Sequence, residues 1–265
     1  YEPVKFDLRL VPNRKYQFVV FADFVPQTFT DETVTDAVQS EAGLHHTIGS
    51  TLQSITIKND AINDECTDPY FVSEKIKIEN SAPKSITLKR PYGKVRVIAT
   101  DLAELNLNVD PASVEVKYTA IHPQTFNAVL GTIGAEEQEK VYALSSAYNE
   151  GVGKESLANH FYTEGYDKET KTNAKGDVRH THMTLFTDYI LAVDNEQRPI
   201  NFEMSVYEKS GELIKTTEFS TMIPVQRNSL TTIIGNVLTT ATEINISIDD
   251  NFDSQYNYQL WDGKS

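Results

Sequence analysis

Apolar and polar residues alternate with period two along most of the chain, and β-branched and aromatic residues are frequent at the apolar positions. That pattern predicts half-buried strands. Lys5 to Leu10 (KFDLRL) places Phe6, Leu8 and Leu10 on one face. Tyr16 to Val25 (YQFVVFADFV) is more uniformly apolar and suits a strand buried on both faces. Leu52 to Ile57 and Ile76 to Ile78 alternate again, and Ile86 to Leu88 leads through Arg90-Pro91 into Val95, Val97 and Ala99. Val114, Val116 and Tyr118 follow, then Phe126 to Leu130. About seven short strands are therefore expected before residue 131.

The pattern then changes. Residues 134–179 are charged, contain glycine and alternate poorly, which predicts a linker followed by a strand and an exposed loop. Strands resume at Met183 to Val193, Ile200 to Tyr207, Leu213 to Pro224, Leu230 to Leu238 and Ile244 to Ile248. Glu208-Lys209-Ser210-Gly211 reads as a hairpin turn with Gly where positive φ is needed. Helix signals are few; Asp31 to Ser40, capped by Thr30 or Asp31, is one short candidate. Two blocks of short strands at this spacing predict an all-β chain of two β-sandwiches, residues 1–133 and 134–265.

Charge narrows the range of partners. The chain has 265 residues, with Lys plus Arg 24 and Asp plus Glu 38, for a net −14. Duplex nucleic acid and an anionic lipid surface both require a basic face, so neither is expected as a partner. No apolar run is long enough to span a bilayer as a helix. The single cysteine, Cys66, excludes an internal disulfide but not an exported protein that relies on its core. A first residue of Tyr1 rather than Met fits a processed or trimmed product, so compartment is not read from a targeting segment.

Candidate chemistry is sparse. His180 and His182 are spaced as ligands on one strand face, yet no Cys or carboxylate stands at ligand spacing, and solvated strand-edge residues explain them better. His45-His46 sits in a polar stretch, where adjacent side chains point to opposite faces and do not share a metal. Asp60, Asp64, Glu65 and Asp68 surround Cys66, and Asp249, Asp250 and Asp253 cluster near the end; both groups lack the ladder and central Gly of an EF-hand and read as acidic surface loops. Those carboxylates also make Cys66 a poor thiolate. With no nucleophile elbow, phosphate loop or zinc-protease motif present, no enzyme, metal or cofactor is expected. Tyr is frequent at 13, and exposed Tyr together with Trp261 could stack on sugars. Tyr16, Tyr118 and Tyr207 nevertheless fall inside expected strands, where core or sheet-edge packing is the simpler explanation.

The termini carry more. The first segment enters a strand without a hairpin partner, as though the first strand of a sandwich were missing; such a sandwich exposes an apolar groove that an incoming strand fills. Residues of the early strands would line it: Phe6, Leu8, Phe18, Val20 and Val97. At the other end, NFDSQYNYQLWDGKS keeps strand periodicity after the last domain strand, with Tyr256, Tyr258 and Leu260 alternating with Asn257, Gln259 and Trp261. This tail either donates a strand to another subunit or folds back as a final edge strand.

Three stretches are similar to one family. ITLKRPYGKVRV (86–97) resembles the strand-turn-strand of Bacteroidia fimbrillins, and YQFVVFA (16–22) resembles their early strand. PVQRNSLTTIIGNVLT (224–239) resembles their C-terminal signature, followed by the similar INISIDD (244–250). The resemblance spans nearly the whole chain. It implies two transthyretin-like sandwich domains and a structural subunit of a type V pilus, located at the cell surface and exported through a lipid-anchored outer-membrane precursor. It further implies that a maturation protease removes a first strand. The vacated groove then takes the C-terminal strand of the next subunit, with Tyr256, Tyr258, Leu260 and Trp261 as anchors. Partners would be other pilin subunits head to tail, with anchor and tip subunits; such a contact is heterologous and does not close, as a filament requires. The rival expectation is a surface carbohydrate-binding or adhesin module that uses exposed Tyr and Trp261.

Overall fold

The computed structural model describes residues 5–23, 46–57, 69–80, 82–106, 108–109, 111–134, 137–142, 170–172, 176, 178–192, 198–208, 210–239 and 244–249. Within them the chain is all β apart from one 3-10 turn at Leu102–Glu104. The first eight strands are β1 (Arg14–Ala22), β2 (His46–Ile48), β3 (Ile55–Ile57), β4 (Tyr70–Ile78), β5 (Tyr92–Ala99), β6 (Pro111–Pro123), β7 (Thr125–Asn127) and β8 (Thr132–Ile133). They are followed by β9 (Glu137–Tyr142), β10 (Thr170–Thr172), β11 (Val178–His180), β12 (Met183–Leu191), β13 (Arg198–Glu208), β14 (Leu213–Val225), β15 (Leu230–Gly235) and β16 (Ile244–Asp249).

A larger sandwich stacks the sheet β12-β5-β15-β16 on the sheet β14-β13-β6-β9. Its core gathers Val95, Val97 and Ala99 of β5, Val114, Val116 and Tyr118 of β6, and Phe186, Phe202, Met204, Phe219 and Ile233 from later strands. β5 pairs antiparallel with β12 and parallel with β15, from Leu230↔Lys94 to Gly235↔Ala99. β5 lies inside the sheet between two neighbours, and every residue but half-buried Arg96 is buried, so its burial does not alternate. Its opposite face holds buried Ile98 and Lys94, whose Nζ lies 5.3 Å from the Tyr189 ring centroid.

At one end of the central sheet, Tyr92, Tyr189, Leu191 and Leu230 extend beyond that sandwich into a second core with Ile55, Phe71, Phe126 and Ala128. The sheet β2-β3-β7-β8 and the two-stranded ribbon β1-β4 supply its remaining walls. The expected boundary lies between residues 133 and 134. Each sheet of the larger sandwich draws strands from both sides of that point, so cutting there separates Val95 and Val116 from the core they fill.

Alternation placed most strands well, and exceptions have physical causes. Lys5 to Leu10 forms no strand in the structure, because alternation shows only that a face could be buried. Ile86 to Leu88 is likewise unpaired, with a single bridge at Lys89. The turn at Gly211 has φ 86° and the bond Glu208 N–H to Glu212 O at 2.8 Å, as the hairpin reading requires. Tyr16, Tyr118 and Tyr207 all sit in strands. The helix candidate at Asp31 to Ser40 lies outside the described residues.

The two sheets of the larger sandwich are also joined by a polar contact. Tyr118 Oη of β6 donates to Asp188 Oδ2 of β12 at 2.7 Å, and Asp188 Oδ1 accepts the Tyr189 backbone N–H at 2.8 Å. A hydrogen bond to a carboxylate in a buried setting outweighs a neutral one. Tyr118→Phe is expected to lower the unfolding free energy by about 2 kcal/mol while leaving the far-UV spectrum unchanged; a loss below about 0.5 kcal/mol in urea titration would show that this bond adds little.

A two-stranded ribbon as the candidate functional site

β1 and β4 pair without a bulge from Arg14↔Ile78 to Ala22↔Tyr70. Side chains of paired residues share a face, so the ribbon has two distinct sides. On one side Phe21 and Phe71 reach the second core, joined by Val19, and the row continues outward through Ser73, Gln17, Lys75, Lys15 and Lys77. On the other side Tyr16, Phe18, Val20, Val72, Ile76 and Ile78 form a half-buried apolar stripe, interrupted by exposed Glu74 opposite Phe18.

Among the described residues, neither edge of the ribbon has a further strand. On β4 the free edge can be specified residue by residue. Phe71 and Lys89 exchange both backbone bonds, each 2.8 Å, so Phe71 directs its N–H and C=O away from β1. Alternate residues of an antiparallel strand point the same way. Ser73, Lys75 and Lys77 therefore present their amides and carbonyls at that edge, and beyond Lys89 residues 82–88 form no ladder with β4.

Beside this edge lies an open cleft of about 670 Å³. β4 from Phe71 to Lys75 forms one wall, Thr87 and Lys89 the other, and the β7-β8 turn with Arg227 forms the floor. The floor is built from local rules. Asn127 Oδ1 accepts the N–H groups of Val129 and Leu130, both at 3.0 Å, and Gly131 closes the turn at φ 70°. Gln17 Nε2 and Ser73 Oγ both donate to Val129 O, at 3.0 and 2.6 Å, which fixes the ribbon to the turn. Buried Arg227 donates from Nε to Ala192 O at 2.8 Å and from an Nη to Gly131 O at 3.0 Å, with its guanidinium 5.3 Å from the Phe71 ring centroid.

The residues expected to line a groove divide. Phe18 and Val20 do lie side by side on the apolar face of the ribbon. Phe6 and Leu8 are 75% and 59% exposed and belong to no sheet. Val97 is corrected, because it is fully buried in the core of the larger sandwich. Tyr256, Tyr258, Leu260 and Trp261 lie outside the described residues, as do His45, Asp60, Asp64, Glu65, Cys66, Asp68, Asp250 and Asp253.

Several telling side chains gave no sequence signal. His46 is buried instead of solvated; its Nε2 is 2.8 Å from Tyr92 Oη, and its Nδ1 is 3.0 Å from Asp23, an ion-pair distance outside hydrogen-bond alignment. Asp101 is buried and accepts the N–H groups of Val237, Leu238 and Thr239, with Thr239 Oγ1. Two of the stretches that carry the resemblance, 86–97 and 224–239, also meet. Asn228, at φ 59°, donates its N–H to Tyr92 O at 2.8 Å, and its side-chain oxygen accepts the Arg90 N–H at 3.4 Å. Buried Arg90 itself bonds Tyr70 Oη and lies over the Tyr70 ring. Among the described residues no three His, Cys, Asp or Glu side chains converge as a metal would require. What this region offers a partner is backbone, apolar surface and positive charge.

A family model described as a family of unknown function, DUF6562, matches residues 1–262. The chain belongs to this family. No curated protein matches this DUF6562 sequence. Among solved structures, the DUF6562 chain is similar to a "putative cell adhesion protein" from Bacteroides ovatus, at 10% identity over 91% of this chain and 70% of that one, with a TM-score of 0.45. It is also similar to a "putative adhesin" from Bacteroides thetaiotaomicron, at 11% identity over 93% and 78% of the two chains, with a TM-score of 0.42. A third, described as "putative polysaccharide binding proteins (DUF1812)" from the same species, gives 11% identity over 91% and 78%, with a TM-score of 0.39.

Proposed function

We propose that the chain is a non-catalytic structural subunit of an adhesive fibre on the bacterial cell surface, polymerising head to tail by strand exchange. The observation that carries this reading is the β1-β4 ribbon. A two-stranded ribbon is marginal in water, and soluble proteins shorten, bend or cover long open edges. This ribbon has nine residues in each strand, no proline and no bulge, and an apolar face that is only half buried. Such a ribbon gains most from an added strand. The tail of a neighbouring subunit supplies one, with Tyr256, Tyr258, Leu260 and Trp261 as anchors; each aromatic that is fully desolvated contributes roughly 1.5 to 3 kcal/mol, and several together make dissociation slow. In this reading the mature subunit comes from a lipid-anchored outer-membrane precursor trimmed by a protease, and anchor and tip subunits complete the fibre.

Deleting residues 252–265 is expected to leave a folded monomer that forms no fibres. The checks are urea unfolding for the fold and negative-stain microscopy of the trimmed protein for filaments. Fibres formed by the deletion variant as readily as by the full chain would remove the tail as donor.

A further inference from the structure

We infer that the strand-accepting edge is the side of β4 that carries the backbone groups of Ser73, Lys75 and Lys77, and that it takes an acidic extended strand from a second copy of this chain. The inference rests on the assembly reading above and adds to it a location and a recognition chemistry. Strand parity gives the first support. The Phe71–Lys89 bridge assigns the odd-numbered residues of β4 to the free edge, while the even-numbered residues bond β1. The cleft gives the second, because it opens along the same stretch of β4 and is bounded where the bridge closes it.

Charge decides the occupant. The chain carries net −14, yet the stretch 70–89 that holds β4 and the far wall of the cleft has Lys75, Lys77, Lys84 and Lys89 against Glu74 and Glu79, and Glu79 is paired with Lys77 at 3.0 Å. Lys15 of β1 lies opposite Lys77 and extends the basic strip. Lysine on an edge discourages pairing with a like edge, so two acceptor ribbons do not add to each other. The same lysines attract a strand of opposite charge and steer it to the groove. Residues 250–262 have that character: Asp250, Asp253 and Asp262 with no Lys or Arg, around Tyr256, Tyr258, Leu260 and Trp261.

The test uses full-length protein and a fluorescein-labelled peptide with the sequence of residues 250–262, followed by anisotropy. Binding is expected to saturate and to weaken by roughly tenfold between low and high salt, since exposed charges are screened beyond about 10 Å at 0.1 M. Lys75→Gln, which removes only charge, is expected to weaken binding a few-fold. Lys75→Pro is expected to abolish it while unfolding at the same urea midpoint as Lys75→Gln, because the lost N–H belongs to the free edge and not to the β1 ladder. The double charge reversal of Lys75→Glu with Lys77→Glu is expected to abolish binding at low salt without touching the backbone, so the inference stays exposed even if the proline variant misfolds. Equal binding by the proline and glutamine variants would overturn it in favour of another edge. Dextran sulfate displacing the peptide and binding both variants alike would overturn it in favour of an acidic-polysaccharide site. No peptide binding, with fibres that still require residues 252–265, would overturn this location and chemistry and leave strand exchange standing.

Discussion

Asp101→Ala is expected to lower the unfolding free energy by about 3 to 5 kcal/mol, the scale seen when a buried charged group leaves its partners unmatched. Asp101 is only 2% exposed and begins the turn Leu102–Glu104 just after β5 ends. Its carboxylate collects three successive backbone N–H groups, from Val237 at 3.2 Å, Leu238 at 3.0 Å and Thr239 at 2.7 Å, with Thr239 Oγ1 at 2.8 Å. Successive amides turned toward one point form a concave anion site, and here the anion is the chain's own. Thr100 adds two bonds alongside, donating its N–H to Gly235 O at 2.9 Å and its hydroxyl to Asn236 Oδ1 at 2.7 Å. Removing the carboxylate strands the buried N–H groups of Val237 and Leu238 and the half-buried one of Thr239. Asp101→Asn keeps one acceptor but turns an NH₂ toward those donors, so an intermediate loss is expected. Urea unfolding of the three proteins checks this; an alanine variant within about 1 kcal/mol of the parent would show that the amides find other acceptors.

Gly93→Ala is the second large effect, at about 3 kcal/mol, the upper range for overpacking. A Cβ at residue 93 would stand 2.4 Å from Gln226 O and 2.5 Å from Val225 Cγ1. The obstacle on one side is backbone, so relief requires β5 to move away from the 225–229 segment, whose Ser229 O accepts the Lys94 N–H at 2.9 Å. Gly211 provides the comparison: its φ is 86° and a Cβ there meets nothing within 4 Å. Strain of that kind alone costs about 1 to 2 kcal/mol. Thermal unfolding should therefore separate Gly93→Ala from Gly211→Ala, and equal midpoints would contradict the close packing at Gly93.

Much of the fold was legible because side-chain alternation is a local signal. β6, β13, β14 and β16 follow from their apolar spacing and the hairpin at Gly211 from turn chemistry, whereas β1, whose uniform apolar run suggests burial on both faces, has no fully buried residue. What alternation lacks is the identity of the partner. Lys5 to Leu10 alternates as regularly as β6 yet pairs with nothing in the described structure, whereas β5 also buries Lys94 and Ile98 on the face opposite Val95, Val97 and Ala99, which its alternation does not show. The composition change near residue 134 does not separate the partners of the central sheet, since β5 pairs with β15 across it. At the candidate site, Phe18 and Val20 were legible as strand residues with a shared face. Arg90, Arg227, Asn228 and Asp101 were not, because their roles lie in contacts with backbone distant in sequence. The stretches GKVRV and LTTIIG, far apart in the sequence, are adjacent parallel strands.

That adjacency also governs how the chain acquires its structure. Arg96 and Thr232, bonded at 3.3 Å across β5 and β15, stand 136 residues apart. Loop-closure entropy rises with the logarithm of the chain between two contacts, and domains dominated by distant pairings fold over milliseconds to seconds. During synthesis β5 waits for more than half the chain before its parallel neighbour exists, leaving an apolar strand open on that side. The pairing of β5 with β15 is therefore closed to the chain until Leu230 to Gly235 has been made.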